Sequence, residues 1–433
     1  MTYNYDIKQK LNSNIKFQAS TAKIAPRLSE ELTSNLTKSQ RFIAKVIDLK
    51  EGDSGLSHSR FAQATITNWF PKAIFARGLA DLSEVTFLEF FEGALFFYLP
   101  SLVGEYISRR KIFSKTLPKE LNSEVSKSVK EIVKTNSKNA QKLLPVKAGI
   151  VLSCAAIPAA EYALSFAKNL FTLKVFKQAD FTSVANLDRS KSGEDKEKQA
   201  RVEKSAKSHL KKAGIFSLGA FALSLILGTA GQKSKAIAKA CEYILNPGAK
   251  LYKGLEKCGL KNKKLEKFLN KYINLDFARK SDGSLALGNG QLAVTVISGV
   301  FGYFGAAKDR GKLDVQEVAT RVPIIAAYTI FGSTLFDEGF KKILHKDRKH
   351  PDILKYNKEQ NEFTVASLND IPKIAKDIVG NDEKLLKGKI QELFKAKTKI
   401  SMVPFFFALG VVGALLSLVS RICTQYRYNK ITN

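Results

Sequence analysis

Tryptophan occurs once in these 433 residues, methionine twice, and histidine and cysteine four times each. The cysteines, Cys154, Cys241, Cys258 and Cys423, form no C-x-x-C pair and have no histidine at zinc spacing, which excludes a zinc module or a thioredoxin-type centre. They read as reduced, small apolar side chains, with a Cys241–Cys258 disulfide as the alternative. His345 and His350 are five apart, off any common helical face and among basic residues that repel a metal ion, and His58 and His209 are isolated. No secretory leader is expected, since Met1 to Gln40 has no apolar core, and Asp6, Glu30 and Glu31 break up any basic import presequence. Acids are scarce too: 40 Asp and Glu against 70 Lys and Arg leave a net charge of +30, which favours anionic partners without choosing among lipid, nucleic acid and metabolite.

Charge of either sign is missing over long runs, and that absence says most. Ile400 to Ser420 carries none, bracketed by Lys399 and Arg421, and is long enough to cross the roughly 30 Å hydrocarbon core of a bilayer as a helix. Ala213–Gln232 and Gly283–Ala307 are equally uncharged. Three further blocks are interrupted or short: Val85–Gly104 holds Glu89 and Glu92, Ala148–Ala167 holds Glu161 and Pro158, and Val322–Phe336 ends at Asp337 and Glu338. The fold class expected is therefore all-α, a polytopic integral membrane helical bundle of about four to six spans, with amphipathic helices in long basic loops. Core helices of a soluble protein are the rival reading for each block.

Small residues recur at helix-interface spacing: Ala220, Ser224 and Gly228, then Ser298, Gly302 and Ala306, with Gly299, Gly302 and Gly305 every third position. Such stripes let helix backbones approach closely in lipid, which favours a bundle and is compatible with a homo-oligomer. Between the blocks, Leu265, Phe268, Leu269, Tyr272 and Ile273 form an apolar stripe flanked by Lys263, Lys264, Lys267 and Lys271. A basic amphipathic helix of this kind suits an anionic lipid surface, and packing on other helices suits it equally. Leu121, Val125, Val129 and Ile132 make a second amphipathic pattern, and Leu386, Ile390, Leu393 and Phe394 a third. The short link Lys308 to Arg321 should be a hairpin with its basic residues on the cytoplasm-equivalent side.

Along the chain the expected organisation is a polar, disordered tail over 1–60, a first membrane region with two marginal spans over 61–178, and a charged linker over 179–212. A three-span region follows over 213–336, then a basic polar loop with helices over 337–399, and a final span and basic tail over 400–433.

Candidate chemistry gathers at the first block. If Lys72 to Gly104 is one helix, Arg77, Asp81, Glu84, Glu89 and Glu92 fall within an arc of about 140° at ~100° per residue. Arg77 and Asp81 are spaced to pair, and Glu161 with Lys147 and Lys168 extends the polar set. Each carboxylate in hydrocarbon costs about 2.5–3.5 kcal/mol, so this stripe must face water, other helices or basic groups. An internal ion or substrate path and a solvated interfacial face both satisfy that requirement. Trp69, before Phe70 and Pro71, reads as an interfacial anchor at a helix start.

Nucleotide motifs fail. Gly228 to Ser234 has a Lys-Ser pair at the wrong spacing after an apolar helix, and Gly288, Gly290 and Ala293 precede an apolar segment instead of an amphipathic one. No catalytic constellation, cofactor site or metal site emerges, and basic residues spread over every loop speak against nucleic-acid binding. Six segments with long connections resemble the mitochondrial-type solute carriers in outline. Their P-x-D/E-x-x-K/R signature is absent, for example at Pro100-Ser101-Leu102, and the segments are unequally spaced. The expectation is a non-enzymatic membrane protein in contact with the bilayer and its anionic lipids. It is either a transporter or channel-like bundle for an anionic solute or ion, or a scaffold whose basic loops bind anionic lipid or acidic partners.

Overall fold

The computed structural model describes residues 28–51, 61–62, 65–135, 137–188, 195–279, 285–357 and 362–432. Among these residues the chain is all-α apart from two small hairpins. In chain order the principal helices are α1 (Lys38–Glu51), α2 (Phe70–Ile74), α3 (Leu79–Phe97), α4 (Ser137–Ser153), α5 (Ala156–Phe176) and α6 (Lys196–Thr229). They continue as α7 (Asn289–Arg310), α8 (Lys312–Ala327), α9 (Ser333–Lys346), α10 (Glu383–Phe407) and α11 (Leu416–Thr432). The hairpins pair β1 (Ala278–Arg279) with β2 (Leu285–Ala286) and β3 (Leu354–Asn357) with β4 (Glu362–Val365), both antiparallel.

Among the described residues, six helical stretches are long and apolar enough to cross a membrane: Leu79–Lys115, Asn139–Phe176, Lys196–Lys233, Asn289–Arg310, Lys312–Lys346 and Glu383–Thr432. They correspond to the six expected blocks, with one change of boundary: residues 285–286 are strand, and the fourth helix begins at Asn289. Prolines shape several of the others. Pro323 and Pro404 lie inside α8 and α10, and each is followed by a widened π-helical stretch, Tyr328–Gly332 and Ala408–Leu415; Pro100 opens a third, Pro100–Ile112. A proline removes one N–H and pushes aside the preceding carbonyl, so a wider turn next to it re-partners the freed groups. Pro158 avoids that conflict because the helix breaks at Cys154–Ala155 and restarts at Ala156, which puts the proline in a first turn.

The chain divides into two compact units. The first combines the part before residue 61 with Leu335–Phe405. Residues 30–51, expected within a disordered polar tail, instead form the short helix Glu30–Ser34 and α1; residues 1–27 of that tail lie outside the described residues. Ser29 caps the short helix through its Oγ and donates its N–H to Asn369 Oδ1 at 2.9 Å, and Gln391 donates to Asn35 O at 3.2 Å. Leu32, Ala44 and Ile47 join Leu344, Ile371, Ile390, Phe394 and Ile400 in one core. The amphipathic pattern Leu386, Ile390, Leu393, Phe394 is thus a helix face, and it is buried in protein. Ile400, the first residue of the uncharged C-terminal run, belongs to this core as well.

The second unit, Phe61–Thr334 with Phe406–Asn433, is a helical bundle. Its small-residue stripes are packing faces. A Cβ on Gly302 would meet the Tyr162 carbonyl and one on Gly305 the Phe166 ring, so α7 lies directly on α5. A Cβ on Gly149 would come within 2.8 Å of Ser224 O, which brings α4 and α6 equally close. The pattern Leu121, Val125, Val129, Ile132 does not form one helix: two 3-10 turns precede a helix over Val129–Thr135, although Val125, Val129 and Ile132 are buried. All four cysteines are free.

Candidate functional site

The acidic stripe lies inside the second unit, and the single long helix assumed for it is interrupted. The chain breaks between α2 and α3, and Arg77 sits in that break while Asp81, Glu84, Glu89 and Glu92 ride on α3. Trp69 ends the π-helical turn Thr65–Trp69 ahead of α2, and its Nε1 donates to Thr86 Oγ1 at 2.9 Å on α3.

Glu84 is the centre of the network. Arg310 Nη1 donates to both its oxygens at 2.8 and 2.9 Å, Thr172 Oγ1 donates at 2.6 Å, and Lys168 Nζ stands 3.2 Å away. Arg310, at the end of α7, also reaches Asn169 Oδ1 at 3.1 Å and lies 3.2 Å from Asp314 on α8. Arg77 forks onto Glu317 of α8 at 2.9 and 3.1 Å and donates to Asp81 from its backbone at 3.0 Å and its side chain at 3.2 Å. Phe181 lies under both the Arg77 and Arg310 guanidinium groups, at 5.3 and 5.6 Å from its ring centre. On α11, Arg421 Nη2 donates to Lys72 O at 3.1 Å and stands 3.5 Å from Asp81, while its Nε and Nη1 are buried without a hydrogen-bond partner.

Further along α3, Lys72 pairs with Glu89 and Tyr303 donates to Glu92. Glu161 on α5 completes this group. It feels the charges of Glu92 and Glu89, is 4% exposed, and its Oε2 has no hydrogen-bond partner. Gly299 makes room for it, since a Cβ there would lie 2.7 Å from Glu161 Oε1. One turn on, the buried Ser165 hydroxyl is also unpartnered.

All six stripe residues therefore meet in one polar interior, and Lys168 joins them. Lys147 does not: it binds Asp276 at 2.7 Å together with the carbonyls of Val125 and Lys127. The partners of Glu84, Glu89 and Glu92 are Arg310, Lys72 and Tyr303, which come from other helices and so are not legible from spacing along α3. Two basic residues assigned to the Lys308–Arg321 hairpin loop were misplaced. The link is a single tight turn at Gly311, with Arg310 buried at 2% exposure and Arg321 partly buried within α8. The signal that pointed to them was the carboxylates themselves, which require buried bases somewhere in the bundle.

The lysines of the basic amphipathic helix, Lys263, Lys264, Lys267 and Lys271, are exposed on the helix Lys263–Tyr272. Part of its apolar face packs on protein: Tyr272 meets Phe331 edge-on at 4.9 Å, and Leu269 is buried.

No protein-family model matches this chain, and neither does any curated protein or solved structure.

Proposed function

We propose that the chain is a polytopic integral membrane protein whose second unit moves a small anion together with a proton through its charged interior. What supports membrane integration is the inverted distribution of side chains. Leu218 is 72% exposed and Phe301 65%, with Ile215, Phe216 and Ile226 also outward, while Glu84 and Arg310 are buried. In water such an exposed apolar belt is costly, and in lipid it is the expected outer surface.

The observation that carries the transport reading is a pair of unsatisfied groups of opposite sign in one interior. Glu161 keeps an oxygen without a partner, and Arg421 keeps two nitrogens without one. A lone carboxyl in an apolar bundle changes charge by exchanging a proton. A guanidinium with free N–H groups is a ready ligand for an anionic oxygen. Among the described residues no group of three or more His, Cys, Asp or Glu is gathered for a metal ion, so a proton fits Glu161 better than a metal.

The test is lumenal acidification in vesicles that hold the purified protein and a pH dye, started by gradients of phosphate, sulfate or succinate in turn. Acidification driven by one of these anions is expected, abolished in Glu161→Gln and weakened in Arg421→Gln. Acidification that persists unchanged in Glu161→Gln overturns the reading.

The second reading is a scaffold in which the network is a static clamp, favoured by the ion pairs that Arg77, Lys168 and Arg310 make with Glu317 and Glu84. There, Lys263, Lys264, Lys267 and Lys271 bind anionic headgroups, and neutralising all four would lower affinity for anionic vesicles without any flux to lose.

A further inference from the structure

We infer that the helix Lys235–Leu245 is an in-plane anchor, laid along the headgroup layer of an anionic leaflet with Ile237, Tyr243 and Ile244 turned into the acyl boundary. The inference rests on the membrane integration proposed above and is independent of transport. The helix opens the connection between two of the apolar stretches, Lys196–Lys233 and Asn289–Arg310. Ser234 caps its start, accepting from the Ile237 N–H at 3.3 Å. Its 11 residues rise about 16 Å at ~1.5 Å per residue, about half of a hydrocarbon core, so it cannot cross.

What marks this helix is an apolar surface larger than its contact with protein. At ~100° per residue, Ala238, Cys241 and Leu245 fall within about 60° and are buried, and Cys241 and Leu245 share a core with Leu143 and Leu144 of α4. Lys235, Lys239 and Glu242 fill a second arc of about 60°. A third arc, about 120° wide, holds Ala236, Ile237, Ala240, Tyr243 and Ile244, all exposed, with Ile244 at 53%. A helix on the surface of a soluble core is polar outside its buried stripe, whereas this one carries a second apolar face that the described chain leaves uncovered.

Position and charge identify what covers it. A Cβ on Gly231 would meet Ile237 Cγ2 at 3.2 Å, so the uncovered face begins against the last turn of the stretch Lys196–Lys233, just beyond the outward Ile226. It continues the apolar belt of α6 at that stretch's polar end, where Gln232 and Lys233 stand. Residues 233–273 hold eleven lysines against three acids, Glu242, Glu256 and Glu266. Lys235, Lys239, Lys253 and Lys257 are exposed, and Lys250 reaches Glu242 at 2.8 Å while lying 4.0 Å over the Tyr243 ring. An amphipathic helix with a lysine rim and a tyrosine at its polar edge settles about 5–10 Å into the headgroup and acyl boundary, and anionic lipid strengthens the hold. A second copy of the chain would instead bring like charge against like charge at this rim. The following basic helix, Lys263–Tyr272, already commits Phe268 and Tyr272 to Phe331, so the uncovered face of Lys235–Leu245 is the fuller lipid contact.

The test uses the purified full-length protein in phosphatidylcholine vesicles in which a third of the lipid is brominated, as phosphatidylcholine in one set and as phosphatidylglycerol in the other. Three variants, Ile244→Trp, Lys239→Trp and Leu218→Trp, each add one tryptophan at an exposed position, read over the fluorescence of Trp69. Brominated lipid is expected to quench Ile244→Trp and Leu218→Trp but not Lys239→Trp. At low salt it should quench Ile244→Trp about twofold more as phosphatidylglycerol than as phosphatidylcholine. An unquenched Ile244→Trp beside a quenched Leu218→Trp overturns the anchor while leaving membrane integration intact; blue emission would then give the face to a protein partner or a second copy, and red emission to water. Equal quenching of Ile244→Trp by the two lipids overturns the anionic leaflet. Loss of quenching at Leu218→Trp as well would remove the membrane reading itself.

Discussion

Arg310 Nη1 donates to both carboxylate oxygens of Glu84 across 226 residues of sequence and ties the end of α7 to α3. The pair is buried, at 2% and 8% side-chain exposure, so its value lies less in attraction than in the penalty of leaving either charge alone. Arg310→Met alone should strip Glu84 of its main partner and destabilise the bundle by about 3–5 kcal/mol. Combining it with Glu84→Leu removes the orphan and should recover much of the loss. Thermal unfolding of the three variants in detergent, read by intrinsic fluorescence, checks the order; equal loss in single and double variants would mean that shape, not charge, sets the cost.

Close packing of α5 on α7 depends on Gly302, where any side chain meets the Tyr162 carbonyl. Gly302→Val should cost about 1–3 kcal/mol or more through forced separation of the helices. Gly214 on α6 is the control, because nothing lies within 4 Å of a Cβ there. Gly214→Ala should be neutral or stabilising by up to about 1 kcal/mol. Melting temperatures of the two variants in one detergent decide it.

These two interactions mark what was legible in the sequence. The Gly299, Gly302, Gly305 stripe is local, so its meaning as a helix contact could be read from spacing alone, as could the six apolar stretches. Arg310 was misread for the opposite reason: it follows an apolar run, and counting treats such a residue as the start of a loop. Its burial depends on a carboxylate on another helix, which no spacing rule sees. Residues 30–51 show the same limit in the first unit, where Leu32, Ala44 and Ile47 are too few to announce a core. Their partners Ile371, Ile390 and Phe394 lie more than 300 residues away.

In the first unit, His350 occupies a left-handed backbone position at φ 60° after the turn at Arg348. Burial, helped by the positive charge of Lys399, pulls its imidazole below the usual value of 6.5. A histidine with a lowered folded pKa binds its proton more readily when unfolded. Its stabilising contribution is therefore full above pH 6.5 and is lost as the pH falls through the lowered value. NMR titration of the His350 Cε1 proton should show a midpoint below 6.5, and unfolding of this unit should ease on the acid side. A midpoint at or above 6.5 would remove the effect.

Membrane integration requires that the apolar belt around Leu218 and Phe301 meet lipid. Flotation of carbonate-washed liposomes carrying the purified full chain measures this directly. The protein should rise with the vesicles after the wash, in neutral as well as anionic lipid, because a spanning bundle needs no headgroup charge to stay in place. Release into the carbonate supernatant would contradict integration, and with it the charged interior as a path across a membrane.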